Sequence, residues 1–357
     1  MRPTGIIPFF RRFLNGPVGP LALFCLNISC GQGPGAGDMQ AKAPEGMQWV
    51  EGAEFMRGAR PDDPMAMASE KPAHLVRVDG FYIDRTEVTN ARFRAFVKET
   101  GYITTAEKPV DWEAMKKTLP PGTPKPPDSV LQPGSMVFTL SKEPVSDMGD
   151  ISQWWRWQVG ANWKHPQGPD SSIEGKDHYP VVHISYEDAL AYCAWAGRRL
   201  PTEAEWELAA RGTSPEGRYT WGDDPALLPQ KANTWQGIFP VRDEGQDGFN
   251  GLAPVASYPE NARGLYDMAG NVWEWTQDTF HPAYYTLAAR KVVSVNPGGA
   301  EAPFNPLQPE KVIKGGSFLC NASYCAGFRI SARMGMTHDS STDHVGFRTV
   351  ADANKIK

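Results

Sequence analysis

The sequence predicts an α+β fold with short strands, two or three helices and much irregular chain. The 357 residues include 35 glycines and 32 prolines, a proportion that favours many turns over long regular elements. Several short stretches alternate between apolar and polar residues, as half-buried strands do. Helix-start signals occur at only a few places, each before a short segment with one apolar face. A chain of this length is long enough to bury a substantial core.

Short strands open the predicted body of the chain. Met47–Val50 and His74–Val78 have the pattern of half-buried strands, and a third strand at 81–83 follows an Asp-Gly turn. A helix should then begin after Thr89, a good N-cap residue, and end before Gly101. These elements are interpreted as framework.

The middle of the chain has the most regular pattern. Residues 181–184 are predicted to form a strand, and a helix capped by Ser185 should follow it and end at Gly197. A capping box that begins at Thr202 predicts a second helix over 206–210.

Between these two parts, residues 104–168 lack a regular pattern. A proline-rich run at 120–127 excludes helix and strand there, because proline fixes φ and lacks an N–H donor. Aromatic residues, including Trp154 and Trp155, argue against disorder. We interpret the region as an ordered surface segment that forms one wall of a groove. The alternative is a purely structural packing role.

Composition and motifs exclude several functional classes. The net charge is −5 and there is no basic stripe, so nucleic acid is not an expected partner. After the first 30 residues, no apolar run approaches the roughly 18 residues of a membrane span. The sequence has no zinc-protease, phosphate-loop or nucleophile-elbow motif.

The N-terminus has the features of an export signal. Residues 1–30 combine early positive charge with an apolar stretch and end in Ser-Cys, a pattern similar to a bacterial lipoprotein signal in which Cys30 is acylated. A plain secretory signal or a short anchor is the alternative. A flexible linker is predicted over 31–44, followed by one domain over 45–354. The protein is therefore expected to be exported, with membrane contact only through a lipid anchor.

Cys320 and Cys325 form the most informative pair in the predicted domain. Cys193, on an apolar helix face, is interpreted as a buried free thiol. Five residues in extended conformation would separate the other two sulfurs by about 16 Å, so they meet only if the chain folds back. The residues alone leave three possibilities open: a disulfide, a shared metal or a redox pair.

Two oxygen-rich stretches, at 233–249 and 264–275, place carboxylates and amides beside glycine turns. Such donor sets suit Ca²⁺. The alternative is that the Asn and Asp side chains only cap turns.

Several motifs together resemble those of the formylglycine-generating enzyme (sulfatase-modifying factor) family, over roughly residues 47–351. They are YIDRTEVTN at 82–90, GRRLPTEAEWE at 197–207, GNVWEW at 270–275, and GGS at 315–317 with GFR at 346–348. The resemblance implies the C-type-lectin-like fold of that family. The Cys320-x4-Cys325 pair is similar to the active-site pair of family members that are true formylglycine-generating enzymes.

The resemblance implies a specific reaction. Molecular oxygen, with a reductant, oxidises one cysteine in a Cys-x-Pro-x-Arg segment of an unfolded sulfatase polypeptide to Cα-formylglycine. Cys320 and Cys325 would bind Cu(I), for which two soft sulfurs are suitable ligands. Ser317 and Trp273 would line the oxygen and substrate side, and Cys325 would form a disulfide when copper is absent. A monomer is expected.

The resemblance also implies further site residues. One structural Ca²⁺ would be bound by the side chains of Asn233 and Asp247 with the carbonyls of Thr234 and Phe249, and a second by Asp267 and Glu274 with the carbonyls of Gly270 and Val272. The substrate-binding residues would be Ala106, Asp111, Trp154, Trp155, Asn321 and His344.

Three of these substrate-binding residues carry finer expectations. Asp111 would pair with the substrate arginine. Asn321 stands where relatives often have histidine, and His344 stands where they often have asparagine. Both departures bear on substrate preference.

Two other functions are compatible with the family motifs. The first is a non-catalytic binding or structural module with Cys320–Cys325 as a disulfide, although a loop this short gains little stability from closure. The second is a different oxidase or sulfoxide synthase of the same superfamily. Its iron site would need clustered histidines, and the sequence has no such cluster.

Overall fold

Short strands and short helices alternate along the chain. The computed structural model describes residues 43–212 and 216–353, so the predicted export signal and most of the predicted linker lie outside the described residues. The strands are β1 Met47–Val50, β2 Ala53–Arg57, β3 His74–Val78, β4 Phe81–Asp84, β5 Gly134–Phe138, β6 Trp155–Val159, β7 Gly237–Ile238, β8 Arg242–Asp243, β9 Trp273–Thr279, β10 Ser294–Val295, β11 Glu310–Lys314, β12 Met334–Thr337, β13 Val345–Gly346 and β14 Val350–Asp352. The helices are α1 Asn90–Thr100, α2 Trp112–Met115, α3 Tyr186–Trp195, α4 Glu203–Ala210, α5 Leu228–Lys231 and α6 Tyr284–Ala288.

The strands form three small sheets and two hairpins. The sheet orders are β1-β4-β14, β10-β3-β2 and β12-β11-β9-β13, and the hairpins are β5-β6 and β7-β8. Most pairs are antiparallel; β10 with β3 and β13 with β9 are parallel. Because β14 pairs with β4, the C-terminal strand closes onto the N-terminal part of the domain. This mixed arrangement confirms the predicted α+β class.

The helix-start signals are confirmed. The Thr89 hydroxyl accepts the Arg92 N–H at the start of α1, and Gly101 ends that helix with a left-handed φ of 68°. Capping boxes begin α3 at Ser185 and α4 at Thr202. The second of these helices starts at Glu203, a few residues earlier than predicted, because the capping box itself nucleates the first turn.

The predicted strand at 181–184 is wrong. Residues 181–184 form no strand: the Val181 N–H donates to the Val88 carbonyl, but His183 has a left-handed φ of 60°. That conformation interrupts a strand. The His183 ring is buried, with Nδ1 2.8 Å from Ser135 Oγ and Nε2 2.8 Å from the Pro166 carbonyl. His183 is therefore a satisfied structural residue.

The irregular region at 104–168 is ordered and contains a hairpin that the sequence pattern did not reveal. β5 pairs with β6 over five residues, from Gly134 with Val159 to Phe138 with Trp155. The proline-rich run at 120–127 lies outside this hairpin. Part of this region therefore forms a paired β-structure.

An aromatic core joins the two long helices to the sheet of β9. The Phe93 ring on α1 lies 5.3 Å from Trp163, and the Tyr192 ring on α3 lies 5.3 Å from Phe347. Offset and edge-on contacts of this kind add to the free energy of burial. None of the described helices is long and apolar enough to cross a bilayer.

Buried ion pairs connect segments that are distant along the chain. Arg329 binds Glu70 through two contacts of 2.7 Å and Asp63 at 2.9 Å. Arg333 binds Glu203 on α4 in the same two-pronged manner, at 2.8 and 3.0 Å. Since removing one partner of such a pair leaves an uncompensated buried charge, these contacts are expected to be costly to break.

We expect Arg329→Met to lower the free energy of unfolding by about 3–5 kcal/mol, because Glu70 and Asp63 would remain buried without a cation. Urea denaturation followed by circular dichroism measures the change. Arg94→Met is the control, since its ion pair with Asp177 is exposed, at 43% and 53% of the side-chain area. That control should cost less than about 1 kcal/mol. Equal losses in both variants would contradict the prediction.

Candidate active site

The loop that follows Ser317 brings Cys320 and Cys325 together. The Asn321 carbonyl accepts N–H groups from Tyr324, Cys325 and Ala326, at 3.0, 3.0 and 3.1 Å. This folds the chain back on itself. The two cysteines form a disulfide with a Cα–Cα distance of 5.5 Å. Of the possibilities left open by the sequence, the described state is therefore the disulfide.

Both cysteines line a large open cleft with a volume of about 960 Å³. Four other residues of the predicted site line the same cleft; these are Trp155, Trp273, Ser317 and His344. Cys320 is buried at 1% exposure, and Cys325 is half-buried. The pair is thus accessible from one side, through Cys325.

A short hydrogen-bond chain surrounds Cys320. The Ser317 N–H donates to Cys320 Sγ at 3.4 Å, and the Ser317 Oγ accepts the Leu319 N–H at 3.2 Å. The same hydroxyl lies 3.2 Å from His344 Nδ1. Burial, and to a lesser degree the nearby His183, lowers the pKa of His344 to about 3. The imidazole is therefore neutral at ordinary pH, and its Nδ1 shares a hydrogen bond with the Ser317 hydroxyl.

Trp273 packs beside Cys320 because Gly327 leaves space for it. A Cβ atom at Gly327 would lie 2.6 Å from the Trp273 ring and 2.9 Å from Cys320 Sγ. No side chain fits there without displacing one of the two. The glycine thus lets an aromatic ring cover the buried sulfur.

The remaining substrate-binding residues occupy different surroundings. The Trp155 ring contacts the His344 ring, with centroids 4.8 Å apart, at the cleft wall. Trp154 is buried and packs against Phe239 and Tyr324, which line the cleft. The groove wall expected from the 104–168 region therefore exists, with the β5-β6 hairpin as its frame.

Ala106, Asp111 and Asn321 are not among the residues that line the cleft. Ala106 is buried. Asp111 is exposed and caps α2 by accepting the Ala114 N–H at 3.0 Å. Asn321 donates from its side chain to the Trp235 carbonyl at 3.2 Å, which supports the loop. Their assignment to substrate binding stays a prediction.

Sequence reasoning missed much of the cleft lining. Five methionines line it: Met65, Met67, Met136, Met334 and Met336. Four of them occur as two Met-x-Met pairs, a repeated pattern that could have been noticed in the sequence. Glu310, at the start of β11, also lines the cleft and gave no such signal.

The cysteine pair has the chemistry expected of a Cu(I) site. Two soft sulfurs lie within bonding distance of each other and face a largely apolar cleft lined by aromatic and methionine side chains. Among residues 43–212 and 216–353, no group of three or more His, Cys, Asp or Glu side chains is arranged to bind a metal. The four-ligand environment typical of zinc is therefore not available around these sulfurs. The donor set fits a soft metal of low coordination number.

The first predicted calcium site has converging oxygens. Asp247 Oδ2 accepts the Thr234 N–H at 2.8 Å and the Gln236 side-chain amide at 2.9 Å. The same amide nitrogen donates to the Thr234 carbonyl and, at 3.0 Å, to its hydroxyl. Several oxygens thus point at one positively polarised group. A cation is compatible with that arrangement if the amide moves aside. Asn233, which is buried, donates to the Gly251 carbonyl and to Asn271, and Phe249 donates its N–H to Asp247.

The second predicted calcium site contains more buried carboxyl groups than cationic partners. Glu274 is already neutralised, since both its oxygens accept from Arg348 at 2.7 Å. Burial raises the pKa of Asp267 to about 6 and raises that of Glu87, which the predicted ligand set did not include. One Glu87 oxygen accepts no hydrogen bond from an N–H or hydroxyl group of any described residue. A cation near Asp267 and Glu87 would relieve this excess, with backbone carbonyls such as those of Gly270 and Val272 as further ligands.

The comparisons with known proteins point to one family and to one fold. The sequence model of the family described as "Sulfatase-modifying factor enzyme 1-like domain" matches residues 35–353. A formylglycine-generating enzyme of Thermomonospora curvata is 41% identical over 88% of this chain and 97% of its own length. An inactive Cα-formylglycine-generating enzyme 2 of Mus musculus is 38% identical over 87% of each chain. In fold, the chain is similar to PvdO from Pseudomonas aeruginosa, with a TM-score of 0.58, 24% identity, and coverage of 86% of this chain and 94% of that one.

Asp343, behind the cleft wall, should make stability depend on pH. Its Oδ2 accepts the Phe138 N–H and the Gln167 amide, while Oδ1 has no hydrogen-bond partner within the part of the chain that the structure describes. Burial raises the pKa of this carboxyl to about 7. The folded state therefore holds a proton that the unfolded state releases, and wild-type stability should fall as pH rises from about 4 to about 7.

The asparagine of Asp343→Asn stays neutral at every pH in this range. The free energy of unfolding of this variant, relative to that of wild type, should therefore rise between pH 4 and pH 7 by on the order of 2 kcal/mol and then stay constant. Urea unfolding at several pH values measures the difference. Asp177→Asn, at an exposed position, should show no such trend. A pH-independent offset between Asp343→Asn and wild type would refute the assignment.

Proposed function

Because the chain belongs to the sulfatase-modifying factor family, we propose that it is an oxidase that converts a cysteine of sulfatase polypeptides to Cα-formylglycine. The observation that carries this proposal is the position of Cys320 and Cys325. They are adjacent to each other, next to Ser317 and Trp273, at the wall of a cleft large enough for a peptide. The 41% identity to a formylglycine-generating enzyme over nearly its whole length supports it.

The proposed reaction requires molecular oxygen and a reductant. Oxidation of the client thiol to a thioaldehyde releases two electrons, and the reduction of dioxygen to water takes four. A thiol reductant of the surroundings would supply the other two and become a disulfide. Water then converts the thioaldehyde to the aldehyde, and the sulfur leaves as hydrogen sulfide. Each client cysteine thus consumes one dioxygen.

In this proposal Cys320 and Cys325 hold Cu(I). The copper would supply the one-electron chemistry that dioxygen needs to react with a closed-shell thiol. The buried Cys320 is held by the Ser317 N–H, and the half-buried Cys325 faces the cleft from which the client enters. The disulfide of the described state is then the metal-free form of the same pair.

The surrounding residues position the reacting groups. The Trp273 ring covers Cys320 and limits the access of water. The Ser317 hydroxyl is oriented by the Leu319 N–H and by the neutral His344 ring, so its oxygen is held at the cleft surface. Since His344 is not protonated at ordinary pH, it adds no positive charge beside the sulfurs. A metal cation at the sulfur pair therefore meets no electrostatic repulsion from His344.

The finer features of the protein stay part of the proposal. The client would be a Cys-x-Pro-x-Arg segment of an unfolded sulfatase, with Asp111 near its arginine. An exported location, and acylation of Cys30, rest on residues outside the described part of the chain. A monomer, with no nucleic acid as a partner, stays an expectation.

A second candidate is a binding module without catalytic activity. Two observations favour it: the cysteines form a disulfide, and one relative at 38% identity is named an inactive enzyme. In that case the cleft would bind a polypeptide without oxidising it. The two functions differ in whether Cys325 is needed for a chemical change in the peptide.

We expect Cys325→Ser to abolish turnover, reducing aldehyde formation by at least about a thousandfold, because one of two metal ligands is lost. The assay incubates the reduced protein with Cu(I), oxygen, a thiol and a peptide containing Cys-x-Pro-x-Arg, and detects the aldehyde by mass spectrometry. Copper uptake, measured on the same samples, should fall with turnover. Cys193→Ser is the matched control, since that thiol is free and buried away from the cleft.

Full turnover in Cys325→Ser would overturn the assigned role of this residue. If the wild-type protein bound the peptide but produced no aldehyde with copper present, the binding-module function would be favoured instead.

Calcium should stabilise the protein. Removal of Ca²⁺ with EGTA is expected to lower the melting temperature by about 5 °C, since a ligand that binds only the folded state adds to its stability. Asp247→Asn should abolish most of this response through loss of the carboxylate charge. Asp243→Asn, in the neighbouring strand β8 and outside the predicted ligand set, should retain it. Identical melting curves with calcium and with EGTA would exclude structural calcium.

A further inference from the structure

We propose that Glu310 binds a basic side chain of the client polypeptide. This rests on the function proposed above and adds a specificity-determining residue to it. The inference is drawn from the charges that line the cleft and from the packing around Glu310.

Three charged side chains line the cleft: Glu70, Glu310 and Arg333. Two are neutralised by buried partners, since Glu70 binds Arg329 and Arg333 binds Glu203. Glu310 alone has no ion pair and no side-chain hydrogen bond with any described residue. The rest of the lining is largely apolar. The cleft therefore presents a single uncompensated negative charge to a ligand.

The fold makes room for this carboxylate. A Cβ atom at Gly335 would lie 2.6 Å from the Phe280 ring and 3.0 Å from the Glu310 carboxyl carbon. Glycine at this position allows the carboxylate to lie over the β11-β12 ladder beside an aromatic ring. The side chain is half-buried there, and this burial raises the pKa of Glu310.

Neighbouring cations point elsewhere. The adjacent Lys311 donates to the Gln277 carbonyl at 3.2 Å and to the Thr279 hydroxyl at 3.3 Å, and its ammonium lies over the Tyr186 ring. A carboxylate that is partly removed from water and lacks a cation binds an incoming guanidinium or ammonium more favourably than a fully hydrated one does.

Glu310 and the sulfur pair line the same cleft. Glu310 begins β11 and Lys314 ends it. The turn after Lys314 leads to Ser317, which contacts Cys320. A client whose cysteine lies at the sulfur pair therefore occupies the cleft into which the Glu310 carboxylate faces, and a basic side chain of the same client segment can meet that carboxylate.

In the proposed Cys-x-Pro-x-Arg segment, that basic side chain is the arginine. Asp111, the carboxylate first assigned to that arginine, is exposed, caps α2 and does not line the cleft. A guanidinium has five donors and accommodates two carboxylates, so the two residues are not mutually exclusive. The proposal requires only that Glu310 contributes to recognition of the positive charge of the client arginine.

A cycle of two variants and two peptides tests this. One peptide is Ser-x-Pro-x-Arg, in which serine replaces the target cysteine so that no turnover occurs, and the other carries citrulline in place of arginine. Binding to copper-free wild type, Glu310→Gln and the exposed control Glu54→Gln is measured by calorimetry. Thermal melting of each variant verifies that the fold is retained.

Glu310→Gln should weaken binding of the arginine peptide on the order of tenfold and change binding of the citrulline peptide less than about twofold. Glu54→Gln should match wild type with both peptides. Equal effects of Glu310→Gln on the two peptides, no effect on either, or no binding of the arginine peptide to wild type would overturn the proposal.

The same measurements on Asp111→Asn decide how recognition of the client arginine is divided between Asp111 and Glu310. A selective loss only in Asp111→Asn would refute the role of Glu310, whereas losses in both variants would support joint recognition. The oxidase function is measured separately, with the cysteine peptide and copper. Selective binding without aldehyde would leave the Glu310 proposal intact and contradict the oxidase. Aldehyde formation without a Glu310 effect would do the reverse.

Discussion

Buried contacts between arginine and carboxylate hold this fold together, because regular secondary structure is too sparse to do so. Arg329 with Glu70, Arg333 with Glu203 and Arg348 with Glu274 each join residues far apart in sequence. Each guanidinium makes two parallel contacts, which fix orientation as well as distance. A chain made largely of loops gains little positional order from hydrogen-bond ladders, so long-range pairs with defined geometry determine where its segments lie.

The same contacts explain how an apolar cleft stays open and ordered. Arg329 also donates to the Ala326 carbonyl at 3.2 Å, directly after Cys325, so the cysteine loop is tied to the segment that carries Glu70 and Met67. Arg333 anchors the start of β12, whose methionines form another part of the wall. The charges of Glu70 and Arg333, which both line the cleft, are thereby neutralised by buried partners.

The sequence predicted local features well and non-local ones poorly. The starts of α1, α3 and α4 follow from N-caps at Thr89, Ser185 and Thr202, since a cap is a contact between neighbours in the chain. The strand at 181–184 was wrong because the left-handed φ of His183 is imposed by distant partners. The β5-β6 hairpin was missed for the same reason: its pairing, not its composition, defines it. The cysteine pair was recognisable, whereas the free carboxylate of Glu310 depends on the absence of partners, which no sequence pattern shows.

The electrostatics of the cleft bear on how a polypeptide would be chosen. Methionine and aromatic walls adapt to many side chains and therefore discriminate weakly. Discrimination then has to come from fixed features, and two such features line the cleft: the sulfur pair, which demands a thiol, and one uncompensated carboxylate. Among the described residues, a site with these two features selects a polypeptide that carries both a thiol and a basic side chain, and it tolerates variation elsewhere. That combination suits the proposed oxidase, which would act on sulfatase polypeptides and leave other cysteines unmodified.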